Sequence, residues 1–259
     1  MSIAAQLYTL RDFLKTPEDI GQALKKVKKI GYQAVQASGV GPVDPFVFRQ
    51  LADDAGVRIC ATHISYDRLK NDLKAVIQEH KAWDCRYVGL GCMPEQFRGS
   101  REGYLAFAKE FIEISKGIFD QGLKFIYHNH SFEFEKFDGV TGLELLLSNT
   151  DPETFGFELD TYWVQAGGAN PVEWIEKVQG RMEVVHFKDM AVKGFNQLFA
   201  EIGEGNLNWP AIINACRETG VQWYAVEQDK CLRDPFESLQ MSFNYLRELL
   251  NVGDPFSQE

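Results

Sequence analysis

The chain has 259 residues, 45% of them hydrophobic and 25% charged, which excludes a wholly disordered chain and allows one sizeable core. A formal net charge of -10 and a pI near 5.1 exclude a general nucleic-acid surface, which needs clustered Lys and Arg to neutralise phosphates. The start, Met1-Ser2-Ile3-Ala4-Ala5-Gln6, has no basic segment leading into an apolar run, and no stretch long enough to span a bilayer follows, so a soluble cytoplasmic protein without a membrane partner is expected.

Taken in chain order, short apolar runs of strand type alternate with helical stretches. Strands are predicted near 3–8, 33–37, 57–63, 86–90, 123–128, 155–160, 183–187 and 222–227. Helix starts are marked at Thr16-Pro17, Asp44-Pro45, Asn170-Pro171 and Asp234-Pro235, where a capping oxygen precedes a proline suited to the first helical position; Glu173 and Glu237 then stand as capping-box partners. Gly31, Gly56, Gly122, Gly180 and Gly220 each sit between a helical stretch and the next apolar run, as left-handed helix ends do. His80 falls in a predicted helix and is read as a surface residue. Cys60, Cys85, Cys92, Cys216 and Cys231 show no Cys-x-x-Cys spacing and read as reduced packing or surface residues. Eight strands in strict alternation predict an α/β fold, a single (β/α)8 TIM barrel over residues 1–259, in preference to an open doubly wound sheet.

In such a barrel the chemistry gathers at the C-terminal strand ends. Strand parity puts Ile126, His128 and His130 on one face, and likewise Glu158 with Asp160, His186 with Lys188, and Glu227 with Asp229. If those faces point inward, His128, Asp160, His186 and Glu227 converge. Two imidazoles and two carboxylates suit one divalent ion of the Mn, Co, Zn or Fe(II) kind. The competing reading is a set of hydrogen-bonded core polar groups or a metal-free acid–base site.

The stretches AAQLYTLRD, YHNHSFEF, FELDTYWVQAGG, HFKDM, EIGEGNLNW and VEQD, spread over most of the chain, resemble the xylose isomerase-like barrel family. That family holds sugar isomerases and epimerases, and also AP endonucleases and inosose dehydratases. The resemblance implies metal ligands at Asp160, His186 and Glu227, with the fifth-strand ligand at His128. Many epimerases of the family carry Glu there, so His128 departs from a symmetric two-glutamate pattern, and the His-x-His of His128 and His130 is similar to the inosose dehydratases.

The expected function is divalent-metal-dependent isomerisation or epimerisation of a small sugar or keto-polyol, by proton transfer next to a carbonyl through an enediolate. The alternative is dehydration or β-elimination of a keto-inositol or keto-sugar. Glu227 is the preferred base, with Glu133 or His130 as its partner; Glu133 is alternatively the fifth-strand metal ligand in place of His128, or a solvated loop acid. Gln6, Tyr8, Arg11, His63, Trp163 and Lys188 are the candidate substrate contacts; Lys188 also reads as an inward ion-pair partner of Glu158, and His63 as a donor to nearby backbone. An acidic chain with few further histidines does not favour a nuclease, and a non-catalytic sugar-binding barrel stays open, as does the oligomeric state, a homo-oligomer included.

Overall fold

The computed structural model describes residues 2–252, so the expected single domain over 1–259 extends at both ends beyond the described residues. The marked helix starts form as expected. Thr16 caps Pro17–Ile30 through the amide of Asp19, Asp44 caps Pro45–Ala55, and Asn170 caps Pro171–Lys177. Complete capping boxes stand at Thr16 with Asp19 and at Thr141 with Glu144. Glu173 instead accepts from the Asn170 side-chain amide at 3.1 Å. The five junction glycines all have positive φ, so each helix turns into its strand without the strain a Cβ would bring.

The eight predicted strands are β1 (Ser2–Gln6), β2 (Ala34–Ala37), β3 (Arg58–His63), β4 (Tyr87–Leu90), β5 (Lys124–His128), β6 (Phe155–Glu158), β7 (Val184–Phe187) and β8 (Trp223–Val226). They pair in parallel in the order β6-β5-β4-β3-β2-β1-β8-β7. The two ends of that order meet through a parallel bridge between Asp160 and His186, with the His186 amide donating to Leu159 O at 2.8 Å. The sheet is therefore a nearly closed barrel and not an open doubly wound one. Two antiparallel ribbons decorate it: Asp189–Lys193 with Asn196–Ala200, and Lys136–Phe137 with Val140–Thr141. Sequence reading expected only helices between the strands.

The barrel interior changes from apolar to polar along its axis. The lower interior is a small apolar plug of Ala4, Ala34, Cys60, Ala61, Tyr87, Ile126 and Val184, with Trp223 against it. Above the plug the inward positions turn polar: Gln6, Gln36, His128, Glu158 and His186 are all buried. Outward strand positions such as Val35, Phe125, Tyr127, Phe157, Val185 and Tyr224 pack under the helices in the larger core. Cys60, Cys85 and Cys216 are buried free thiols, Cys92 is exposed and Cys231 half-buried. Among the described residues no helix is long and apolar enough to cross a membrane.

His80 does not lie on the surface. It is fully buried on the inner face of its helix, between Thr62 Oγ1 and Val76 O, each 2.7 Å away, and burial pulls its pKa down to about 4.

Candidate metal centre and cleft

His128, Asp160, His186 and Glu227 come together, buried, with one ligand atom of each within 4.8 Å of all the others. Their orientations follow from what lies behind them. His128 Nδ1 is 3.1 Å from Gly91 O. A carbonyl can only accept, so Nδ1 carries the proton and Nε2 offers its lone pair to the cluster. That Nε2 is buried without a hydrogen-bond partner and stands 3.4 Å from Asp160 Oδ2. Asp160 spends Oδ1 on the helix N-terminus, accepting from Trp163 N at 3.0 Å, and turns Oδ2 to the cluster.

His186 is set by a chain of fixed polarity. The Gln36 amide donates to Glu158 Oε1 at 2.9 Å, which leaves Gln36 Oε1 facing His186 Nε2 at 2.8 Å. Nε2 is thus the donor, and Nδ1 faces Glu227 Oε2 at 3.2 Å. Burial alone would lower His186, but Glu158 and Glu227 together push it up to about 10. The position of Nδ1 therefore attracts positive charge, whether a proton or a cation.

Lys188 pairs with Asp160 at 2.8 Å, Glu227 at 2.7 Å and Asp229 at 2.5 Å. The alternative expectation of a pair with Glu158 is not met, because Glu158 is taken by His63 at 2.6 Å, by Gln36 and by His186. Three carboxylates around one ammonium leave an excess of negative charge that a divalent cation would balance. Despite its closeness to Lys188, Asp160 Oδ2 receives no well-directed hydrogen bond, and with the bare His128 Nε2 it forms a nitrogen–oxygen donor pair aimed at one point. The residues present fit a borderline divalent metal.

Over this floor opens a cleft of about 540 Å³, lined by Tyr8, His63, His128, His130, Glu227 and Asp229 among others. Of the predicted contacts, Tyr8 and His63 reach it. Gln6 does not: it is buried under His186, its Oε1 accepting from Tyr8 N at 3.2 Å. Arg11 braces the rim, donating to Tyr8 O at 2.8 Å and Asp229 O at 2.9 Å while stacking over the Tyr8 ring. Trp163 lies 5.3 Å from the His130 ring and has a buried, unpartnered Nε1. His130 lies at the cleft with Nδ1 unpartnered; burial, then His128 and Lys188, lower it to about 3, so the ring is neutral near pH 7.

Glu133 is not a solvated loop acid, nor does it join the cluster. It is fully buried, with Oε1 taking the Tyr127 hydroxyl at 2.6 Å and Oε2 the His130 amide at 2.8 Å. Burial pushes it up to about 7 against those two hydrogen bonds. Its place is behind the turn that presents His130. Sequence reading passed over Asp229, Gln36 and Glu158 as site residues. Parity had put Asp229 and Glu158 on inward faces, and Gln36 stood at a strand end, so the signal was present.

The motif EIGEGNLNW is held by a single carboxylate. Asp189, fully buried, accepts from the amides of Met190, Gly203, Gly205 and Leu207 at 2.7–3.2 Å and from Trp209 Nε1 at 2.6 Å.

Comparison with known proteins agrees with this architecture. An inosose dehydratase of Lacticaseibacillus casei is 26% identical over 151 residues, covering 51% of this chain and 49% of that one; the chain thus spans about half the length of the curated relatives it matches first. An inosose dehydratase of Mesomycoplasma hyopneumoniae strain 7448 is 26% identical over 293 residues, covering 97% and 96%. A crystal structure named as a sugar phosphate isomerase/epimerase from Parabacteroides distasonis superposes with a TM-score of 0.80 at 26% identity, covering 100% of both chains. The model of the xylose isomerase-like TIM barrel matches residues 24–249, and with eight parallel strands around a buried His, Asp and Glu cluster the chain belongs to that family.

Proposed function

We propose that the protein is a metal-dependent enzyme that removes a proton next to the carbonyl of a small sugar or keto-polyol with a single carboxylate base, and then eliminates a β-oxygen. The observation that carries this reading is the asymmetry of the site. Glu227 faces the cleft, while Glu133, the other carboxylate considered as a base, has both oxygens occupied on the far side of β5. Among the described residues the other carboxylate lining the cleft is Asp229, two residues beyond Glu227 on the same strand end and paired with Lys188, so epimerisation by two opposed carboxylates lacks its second member. One base suffices when the proton it takes is returned to a departing oxygen on the same face.

His128, Asp160, His186 and Glu227 would hold the metal. Bound there, it would supply Lewis acidity towards the substrate carbonyl and an adjacent hydroxyl. Glu227 takes the C–H proton, and its orientation is fixed by Lys188 and His186. His130, a neutral ring, acts as a hydrogen-bond partner for a substrate oxygen and not as a proton acceptor at neutral pH. Asp229 and Tyr8 offer hydroxyl contacts at the rim. The dehydratase names of the sequence relatives support the reading. A second reading, aldose–ketose isomerisation, uses the same single base and is favoured by the name of the Parabacteroides structure.

The test is incubation of the metal-reconstituted protein with a panel of keto-sugars and keto-inositols in deuterated water, with products separated as water-loss, isomer and epimer. Water-loss product, absent with Glu227→Gln, is expected. Epimer as the main product would overturn the one-base reading.

A further inference from the structure

His63 ends β3 and lines the cleft, beside the four converging ligands but not among them. Its ring centroid lies 5.2 Å from that of His128 and 5.2 Å from that of His186.

Glu158 fixes which edge of this ring is free. It is fully buried, with Oε2 2.6 Å from His63 Nε2 and Oε1 accepting from the Gln36 amide at 2.9 Å. A carboxylate can only accept, so His63 Nε2 carries the proton and Nδ1 keeps its lone pair. His63, Glu158 and His186 are also close enough to share a cation. The 2.6 Å contact is nevertheless a hydrogen bond, and His186 Nε2 already donates to Gln36, so protons link these groups. Burial lowers the His63 pKa against the pull of Glu158, which agrees with a neutral ring, and a cation in the neighbouring cluster would act in the same direction.

Glycine keeps the Nδ1 edge clear. Nδ1 has no hydrogen-bond partner among the described residues, and it is not one of the atoms sealed in the interior. A Cβ at Gly91 would stand 2.7 Å from Nδ1 and 2.9 Å from Cγ, and one at Gly89 would stand 3.0 Å from Cδ2. The Gly89-Leu90-Gly91 end of β4 thus leaves room for the ring and access to its lone pair.

We propose that His63 is a specificity-determining residue that accepts, through Nδ1, a hydrogen bond from a substrate hydroxyl on a carbon next to those held at the metal, with Glu158 as the positioning residue that sets its polarity. The assignment rests on the sugar reading of the cleft and adds to it the need for a donating hydroxyl. The four ligand residues handle the reacting carbons, while His63, about one ring's width away, reads the hydroxyl beside them. A hydrogen, ether or halogen in that place would leave the lone pair facing no donor.

Binding and ring polarity test this apart from turnover. D-fructose and three analogues, with fluorine in place of the hydroxyl at C1, C3 or C4, are titrated calorimetrically into the zinc-loaded protein, because fluorine resembles a hydroxyl in size but cannot donate. The titrations are repeated with Glu158→Gln and Gly91→Ala. Glu158→Gln keeps an oxygen for Gln36 and offers an N–H to His63 Nε2, which reverses the polarity of the ring; Gly91→Ala sets a methyl group against Nδ1 and leaves Glu158 unchanged. In the wild type one analogue is expected to bind about tenfold less tightly than fructose, and in both variants that margin is expected to fall to within about twofold. A margin caused by lost chelation, in contrast, persists in both variants. Long-range proton–nitrogen NMR is expected to place the His63 proton on Nε2 in the wild type and Gly91→Ala and on Nδ1 in Glu158→Gln, a change that a merely structural carboxylate would not produce. If Glu158→Gln does not fold, the Gly91→Ala margin and the wild-type ring polarity decide. Fluorine tolerated at all three positions, margins that all survive in either folded variant, or a wild-type proton on Nδ1 would overturn the assignment and leave the sugar reading standing. Binding of none of the four sugars would overturn both.

Discussion

Asp160 and His186 are bridge partners across the seam where the barrel closes, and both also point a ligand atom into the buried cluster. A cation between them would tie β6 to β7 at the place where the ladder of hydrogen bonds is thinnest. Metal bound only by the folded form stabilises it by mass action. Chelation is therefore expected to lower the melting temperature and to speed amide exchange at Leu159–Thr161 and Val185–Phe187 before other strands. Uniform exchange across all eight strands after chelation would contradict this.

Asp160→Asn separates charge from capping. The amide oxygen can still accept from Trp163 N, which Asp160→Ala would leave bare. Elemental analysis is expected to find about one divalent transition metal per chain in the wild type and a clear deficit in Asp160→Asn, with the fold retained. Full occupancy in the variant would remove Asp160 from the ligand set.

Glu227→Gln is expected to keep the metal, since an amide oxygen still coordinates, and to lose solvent proton exchange into substrate by about 10²–10⁴-fold. The isotope readout in deuterated water checks it. Exchange within a few-fold of wild type would place the base elsewhere.

Lys188→Met takes a positive charge from among three carboxylates. Like-signed neighbours weaken cation binding, so metal affinity is expected to rise in the variant while turnover falls, because Glu227 loses the group that orients it. A chelator competition series measures the first effect and a rate assay the second. Loss of metal in Lys188→Met would show that the ammonium assembles the carboxylates instead of competing for them.

His80 makes stability sensitive to mild acid. Its pKa is about 4 in the fold, below the ordinary histidine value of 6.5, so the unfolded chain binds the extra proton first. Stability is complete above about pH 6.5 and falls towards pH 4, by up to about 3 kcal/mol from this one ring. Melting curves from pH 7.5 to 4.5 are expected to be flatter for His80→Leu than for wild type. Parallel curves would assign the acid loss to other groups.

The strands were legible because apolar runs, Asx-Pro starts and glycine ends agree with one another over the whole chain. Parity then brought His128, Asp160, His186 and Glu227 to one face without any contact information. It failed where burial depends on a neighbouring element. His80 looked exposed because a histidine on a helix carries no mark of which face it occupies, although Val76 four residues earlier is on the same buried face. Glu133 looked like a loop acid because its partners are a hydroxyl on the outward side of β5 and a backbone amide. The ribbon at Asp189–Ala200 escaped because much of it is exposed and lacks an apolar alternation.

The loop after β7 owes its form to the side chain of Asp189. Five N–H groups converge on that carboxylate, and a Cβ on Gly205 would come within 2.3 Å of one of its oxygens. The shape of the stretch is therefore inherited through one codon instead of nine. Residues between the anchored amides can drift in identity while the path persists, whereas exchange of the single anion for a neutral group removes the common acceptor and releases the whole stretch at once. Variation within this loop and variation at its anchor thus have unequal consequences: the first changes what the surface displays, the second whether that surface is displayed at all.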